Sequence, residues 1–374
     1  MKILLYTPVF FPMVGGMETV SESIADLLIK AGHECIVVTP IEHDHDVFNF
    51  QIHRNPNFLT KIKLILWADV VYSNGATLAI LPLTKILRKP FVWKHAGYQA
   101  SCIDGLGWVE GKKAPMNPWG SIKFHFKENG FIYAFTGGVK LFIRRFAAKY
   151  LVDMNVAITE WVAQRQPFLH QIQIYNPSPI HRFRIPSKQI IQAYDFVYLG
   201  RLVSEKGVKT LLNAFNLLHK EQPFRNLKLL IIGEGNKKEE FEDIVGRFKL
   251  QSQVHFAGRQ RGQELTDLIH SATIAIVPSD WEEPMGIVAL ELMAAGRGII
   301  VSEFGGLKEC VGDAGLIFPN ENYIALADCM RRYLEEEGLL SSKIDLAKEQ
   351  LKKFEPEMLV NQYIEMFNKI ILKS

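Results

Sequence analysis

The residues most able to do chemistry lie in one run of the second half, Pro278-Ser279-Asp280-Trp281-Glu282-Glu283-Pro284-Met285-Gly286-Ile287-Val288-Ala289-Leu290-Glu291. A strand pattern ends near Val277, a short loop holds Glu283, and a helix pattern begins near Gly286 and carries Glu291 in its second turn. The amides of Met285, Gly286, Ile287 and Val288 at a helix start can bind an anion such as a phosphate, because a first turn has no intrahelical acceptors for its N–H groups. Glu283 beside them can accept hydrogen bonds from sugar hydroxyls, and Glu291 can reach a ribose in the same way. Singly, each glutamate would pass for an ordinary loop or surface carboxylate. Their seven-residue separation across a strand-end loop sets the pair apart.

Such a run needs a scaffold that fixes both its ends. In the first half, Lys2–Thr7, Cys35–Thr39, Asp69–Ser73, Pro90–Lys94 and Val156–Thr159 read as strands. The Pro8–Gly16 loop leads to a helix at Met17–Ala31, with Val20, Ile24, Leu27 and Leu28 at helical spacing. Residues Asp104–Gly138 have weak periodicity. Val139–Tyr150 recovers it, with Val139, Phe142, Ile143, Phe146, Ala147 and Tyr150 on one face and Lys140, Arg144, Arg145 and Lys149 on the other. Asn176-Pro177-Ser178-Pro179 and Pro186 mark a linker. A second series follows, with strands at Phe196–Leu199, Leu227–Ile232, Val254–Phe256, Ile274–Val277 and Gly298–Val301, and Glu357–Leu372 is a final helix with Pro356 at its start. Alternation of this kind predicts α/β architecture, two Rossmann-like doubly wound parallel sheets. The expected domains are 1–186, 187–354 and a terminal helix, 355–374, packing back on the first.

Composition sets the outer limits. The chain has 374 residues, 48% hydrophobic and 22% charged, an ordinary core-forming balance that fits two domains. Its formal charge is only +3, but residues 1–187 carry 20 Lys and Arg against 13 Asp and Glu, net +7, and the remainder carries net −4. A basic first half points to an anionic surface or substrate on that side. Cys35, Cys102, Cys310 and Cys329 are scattered without CxxC spacing, so neither a zinc site nor a disulfide framework is expected, and a reducing, cytoplasmic setting is. The apolar start reads as a strand rather than a secretory leader, since Pro8 and Pro12 interrupt it. No apolar run reaches the roughly 18–20 residues of a membrane-spanning helix.

Glu283 and Glu291 together resemble the EX7E motif of family 4 glycosyltransferases. Met293-Ala294-Ala295-Gly296, Gly305-Gly306-Leu307-Lys308-Glu309, the loop Gly200-Arg201-Leu202-Val203-Ser204-Glu205-Lys206-Gly207, Gly15-Gly16-Met17-Glu18, Gly32-His33-Glu34 and Tyr175-Asn176-Pro177 resemble that family as well. The resemblance implies the GT-B fold, two domains facing across a cleft, and a retaining transfer from a nucleotide-diphosphate sugar to a glycan, glycolipid or other hydroxyl acceptor. It implies that Arg201 and Lys206 hold the diphosphate. Fixed cations there stabilise the charge that develops as the sugar bond breaks, Arg as a planar fork and Lys as a point charge. Gly15 and Gly16, which lack Cβ atoms, lie near the sugar diphosphate on this reading. His95 points into the cleft and bonds the donor sugar, or else is a satisfied structural histidine. No cofactor beyond the sugar nucleotide, and no nucleic acid, is implied.

Glu42-His43-Asp44-His45-Asp46 contains a DxD match of the kind that holds a metal elsewhere. It follows the second strand, remote from the other motifs, and reads as a solvated loop, so no metal is expected. The basic segment from Lys112 to Lys149, with Trp119, Phe124, Phe126 and Phe131 as anchors, has two readings. One is an ordinary helix packed on the sheet with its charges in water. The other is peripheral contact with an anionic membrane. The rival activities are a nucleotide-sugar epimerase of the same fold and a non-catalytic sugar-nucleotide-binding protein.

Overall fold

The computed structural model describes residues 1–13, 15–45, 47–187 and 190–373. The chain divides into two compact units. The first comprises Met1–Val109, Ala114–Pro179 and the chain from Phe354 onward, and the second Glu110–Lys113 and Ile180–Lys353. The change of unit falls at Pro179/Ile180 rather than at 186, because Ile180–Phe183 forms a short 3-10 turn with Ile180 and Phe183 buried in the second unit.

The first sheet has seven parallel strands: β1 (Lys2–Tyr6), β2 (Glu34–Thr39), β3 (Gln51–Arg54), β4 (Val70–Asn74), β5 (Phe91–His95), β6 (Met154–Ala157) and β7 (Gln171–Gln173), in the order β3-β2-β1-β4-β5-β6-β7. The second has six: β8 (Tyr194–Leu199), β9 (Leu229–Ile232), β10 (Val254–Gly258), β11 (Ala272–Val277), β12 (Gly298–Ser302) and β13 (Gly315–Phe318), in the order β10-β9-β8-β11-β12-β13. Both are doubly wound, the α/β class expected. The strand order reverses at β1/β4 in one and at β8/β11 in the other, the places where open parallel sheets form a crevice at their strands' carboxyl ends. The inner strands are apolar because both faces are covered. Leu229–Ile232 is buried throughout, and Leu229 and Ile231 join Phe196, Tyr198, Ile274 and Ile276 in one core cluster. Three of these thirteen strands lack a sequence signal: Gln51–Arg54 and Gln171–Gln173 are short and polar, and Gly315–Phe318 is a four-residue run.

Helix α1 (Gly16–Lys30) follows β1. The stretch that looked irregular holds α2 (Pro118–Asn129) and the first turns of α3 (Phe131–Tyr150). Asn117 caps α2, its side chain accepting from the Gly120 amide, with Pro118 in the first turn. Gly130, at φ 87°, separates the helices. The face α3 turns inward corrects the first reading of Lys112–Lys149. The buried residues are Ala134, Gly138, Leu141, Ala147 and Ala148, whereas Val139, Phe142, Ile143, Phe146 and Tyr150 are exposed. Arg144 and Arg145 are half-buried and donate to the carbonyls of Gln99 and Ala100. Small residues bring the helix close to its neighbours, and the large apolar ones are left outside. A Cβ on Gly138 would lie 3.0 Å from Ile122 Cδ1, so a glycine that weakens the helix by propensity permits the α2–α3 contact.

Helices α4 (Val208–His219) and α5 (Ile287–Ala294) belong to the second unit. The last helix, α6 (Pro356–Ile371), returns to the first, where Tyr363 and Phe367 meet Tyr72 of β4 edge to face at 5.6 Å. Among the described residues no helix is long and apolar enough to cross a membrane, and all four cysteines are free and buried.

Substitution tests the inverted packing of α3. Gly138→Leu should cost about 1–3 kcal/mol by forcing the hairpin apart, and Phe146→Ser, on the exposed face, should stay within about 0.5 kcal/mol of wild type. Urea denaturation of both variants checks this. Equal losses would mean that the outward face packs after all.

Candidate functional site

The second unit brings two loops together at its crevice. One runs from the end of β8 to α4 and contains Arg201, Lys206 and Gly207. The other runs from the end of β11 to α5 and contains Glu283. Gly207 lies in the left-handed region at φ 68°, and a Cβ there would sit 1.8 Å from the Pro278 carbonyl oxygen. Only glycine allows both that backbone angle and that approach. The Asp280 amide donates to the Glu205 carbonyl at 3.0 Å, and Thr210 Oγ1 donates to Asp280 Oδ1 at 3.0 Å. Beyond Glu283 the loop is tied again. Its carbonyl accepts from the Gly306 amide at 2.6 Å, and a Cβ on Gly305, at φ 106°, would lie 2.5 Å from the Glu283 backbone.

This lacing sets Lys206 on Glu283. The ammonium nitrogen donates to both carboxylate oxygens, at 2.8 and 2.7 Å. Ser279 Oγ and Trp281 Nε1 donate to Oε2 at 2.8 and 3.1 Å, and the Lys206 ammonium lies 5.5 Å from the centre of a Trp281 ring. The two side chains keep 18% and 14% of their surface exposed. Both charges therefore meet solvent at one mouth and are screened less than a surface pair. Arg201, on the same loop, is largely exposed and bonded to Glu205 at 3.2 Å.

Glu291 is almost fully buried in α5, and Arg182 approaches it at 3.4 Å. Burial raises its carboxyl to about 7, against the pull of the Arg182 charge and hydrogen bond. Asp280 is also raised to about 7 by burial, with the Thr210 hydrogen bond opposing. Helix α5 begins at Ile287, with Gly286 at the cap and no capping side chain. Met285 is buried, and Ile287 and Val288 open the first turn.

The structure thus joins Lys206 to Glu283, keeps Arg201 on the same loop, and holds Glu291 on the helix leaving that loop. The remaining expected site residues belong to the first unit. Gly15 is extended at φ −178° and caps α1, with the Glu18 carboxylate folded against it, and Gly16 opens the helix with nothing crowding its Cβ position. His95 ends β5. Alternation along β5 puts it on the same face as Phe91 and Trp93, where it is buried, with its ring 4.5 Å from Trp93 and 5.1 Å from Phe168. Its Nε2 bonds Asn155 Oδ1 at 2.8 Å, and burial lowers the imidazole to about 4. In this structure Nε2 is therefore held by Asn155, and burial favours the neutral ring. Of the DxD loop, Asp46 lies outside the described residues, Asp44 and His45 are exposed, and Glu42 accepts from Asn55 at 3.1 Å. Among the described residues no three His, Cys, Asp or Glu side chains cluster as a metal would require.

Sequence reasoning missed three contributors. Ser279 and Trp281 stand four and two residues before Glu283, and their donor groups were legible there. Arg182 is 109 residues from Glu291 and left no sequence signal.

Comparison with known proteins bears on this unit most. Residues 183–352 match the family model described as glycosyl transferases group 1. A 115-residue stretch, 31% of the chain, is 37% identical to 28% of a glycosyltransferase of Methanocaldococcus jannaschii. A 159-residue stretch, 42% of the chain, is 32% identical to 38% of the glycogen synthase of Mycobacterium tuberculosis. The chain thus spans well under half the length of these curated relatives. Among solved structures, the Anabaena protein HepE in complex with UDP superposes with a TM-score of 0.75 at 17% identity, covering 99% of this chain and all of that one. The fold is therefore the GT-B fold.

The raised Glu291 carboxyl makes a pH prediction. Its folded value, about 7, lies above the ordinary value near 4.3, so the folded state binds the extra proton between the two. Stability from this residue is present below the lower value and is lost as pH rises through about 7, by up to about 3 kcal/mol. Glu291→Gln should therefore be more stable relative to wild type at pH 8.5 than at pH 5. Chemical denaturation at both values checks this, and a difference that does not change with pH would contradict it.

Proposed function

We propose that this chain is a retaining glycosyltransferase that moves a sugar from a nucleotide diphosphate to a hydroxyl acceptor, a glycan or a glycolipid. The observation that carries the proposal is the Lys206–Glu283 pair at the crevice of the second unit. It combines one cation, one carboxylate and a helix start within a single glycine-tied loop pair. The group 1 match over residues 183–352 contains all of these residues and supports the reading.

On this proposal the donor diphosphate takes Lys206 and Arg201 as its counter-charges. Without donor, Glu283 satisfies Lys206. With donor, the ammonium is shared between Glu283 and the phosphate, while Glu283 Oε1 turns to a sugar hydroxyl. The helix start at Gly286–Val288 adds the positive end of its dipole. Glu291 accepts from the ribose diol and Arg182 holds its carboxyl group in place. As the bond from the anomeric carbon to the phosphate oxygen breaks, the new phosphate charge meets fixed cations in a poorly hydrated site. The acceptor oxygen bonds the same face of that carbon, and its proton passes to the departing phosphate oxygen. Same-face transfer needs no protein nucleophile. Glu283 is held by four hydrogen bonds from three side chains and is a stabiliser of the positive sugar rather than an attacking group. The reaction takes place at an anionic membrane surface, which the charge of residues 112–149 favours.

Kinetics separate the roles. UDP-, GDP- and ADP-sugars are screened first by thermal shift, since a bound donor raises apparent stability. Lys206→Ala and Arg201→Ala should each lower kcat, Lys206→Ala by about 10²–10³. Glu283→Gln should lower kcat more than it raises donor KM, and Glu291→Gln should chiefly raise donor KM. Wild-type turnover in all four variants would remove the proposal. Tight donor binding with no transfer or hydrolysis would leave a sugar-nucleotide-binding protein instead. Turnover should also persist in EDTA, because Lys206 and Arg201 supply the charge; loss on chelation with recovery on adding Mg²⁺ or Mn²⁺ would contradict that assignment.

A further inference from the structure

We infer that the groove beside α3 seats one acyl chain of an anionic membrane phospholipid, anchoring the first unit to the bilayer through the α2–α3 face. This rests on the membrane-surface part of the proposed function and names its site and ligand.

Charge comes first. Residues 114–152, which belong to the first unit, hold six Lys and Arg and one acidic residue, Glu128, net +5. The rest of residues 1–187 holds 14 against 12, so this segment accounts for most of the basic excess of the first half. The second observation is the inverted amphipathicity of α3. Phe131, Ile132, Phe135, Ile143, Phe146 and Tyr150 are each between 57% and 77% exposed, beyond the scattered apolar residues of an ordinary surface. Trp119 of α2, 73% exposed, lies 5.4 Å from Phe142, and Phe131 stacks on Phe135 at 5.7 Å. The patch therefore runs across both helices.

Third, the patch opens into a groove of about 740 Å³ lined by Phe142, Phe146, Tyr150 and Leu169, with Arg145 and Lys149 beside them. An apolar trough with two cations is complementary to a chain that ends in a phosphate. Arg145 donates one N–H to the Ala100 carbonyl, which steadies the guanidinium while its fork has further donors for a phosphate. A second copy of this chain is a poor occupant, because a symmetric contact through this face would set its cations against themselves. The groove runs from the last turns of α3 to Leu169, just before β7, and Arg145 at its edge also ties the loop after β5 through the Ala100 carbonyl.

The test uses the full chain. Vesicles of phosphatidylcholine alone, or mixed equally with phosphatidylglycerol, are co-sedimented with wild type, with Phe146→Asp/Leu169→Asp and with Lys140→Gln/Lys149→Gln. Dodecyl phosphate below its micelle concentration is titrated in parallel with glycerol phosphate and inorganic phosphate. Wild type should bind the mixed vesicles, less so as salt screens the charges, and should take up one dodecyl phosphate while ignoring both chainless phosphates. The groove variant should lose both kinds of binding by at least about tenfold with unchanged donor turnover. The lysine variant should lose the preference for anionic over neutral vesicles. Equal sedimentation of the groove variant, or dodecyl phosphate bound no better than glycerol phosphate, overturns the inference. So does a concentration-dependent dimer that the groove variant abolishes. Intact lipid binding in a wild type without donor turnover would defeat the catalytic proposal and uphold this one.

Discussion

A single backbone contact organises the second unit's candidate site. Gly207 lies directly against the Pro278 carbonyl, at a separation no side chain would permit. Because β8 and β11 are the strands on either side of the point where the order reverses, their loops leave in the same direction and can be pressed together. Once they are, Lys206 has nowhere to place its ammonium except among Glu283, Trp281 and solvent. The ion pair is thus a consequence of topology and of one left-handed glycine, and the side chains need little independent ordering. Sites held by backbone contacts in this way stay close to their working geometry before any ligand arrives.

The two glutamates differ in their partners. Glu283 keeps a solvent mouth and four hydrogen bonds from three side chains, which together offset the cost of holding its charge. Glu291, a few residues further along, has one long contact to a guanidinium and little water, so its carboxyl titrates near neutrality.

The first unit shows a different use of burial. Its sheet carries aromatic rings around His95, which lies between Trp93 and Phe168 and bonds Asn155. Helix α3 packs by small residues and leaves its bulky ones in water. A helix does this at a hydrophobic cost that only a second apolar partner offsets. The two units thus divide the surface chemistry, polar and ion-paired in one, apolar and cationic in the other.

Much of this was legible in the sequence, for identifiable reasons. Continuous apolar runs such as Leu229–Ile232 announce buried parallel strands, and alternation of strands with helices announces a doubly wound sheet. Glu283, Glu291, Arg201 and Lys206 were legible because their loops are short and local, so spacing along the chain maps onto spacing in space. The sequence could not reveal Arg182 beside Glu291, since that contact is made across the fold. It left the inward face of α3 open between two readings, because periodicity reports that a helix has two unlike faces without saying which turns inward. It left His95 open, because the alternation that buries it depends on which strand neighbours it. Composition and local spacing determine which elements form and which residues share a loop. Burial, long-range pairing and the choice of inward face depend on what packs against each element, and only the tertiary structure decides those.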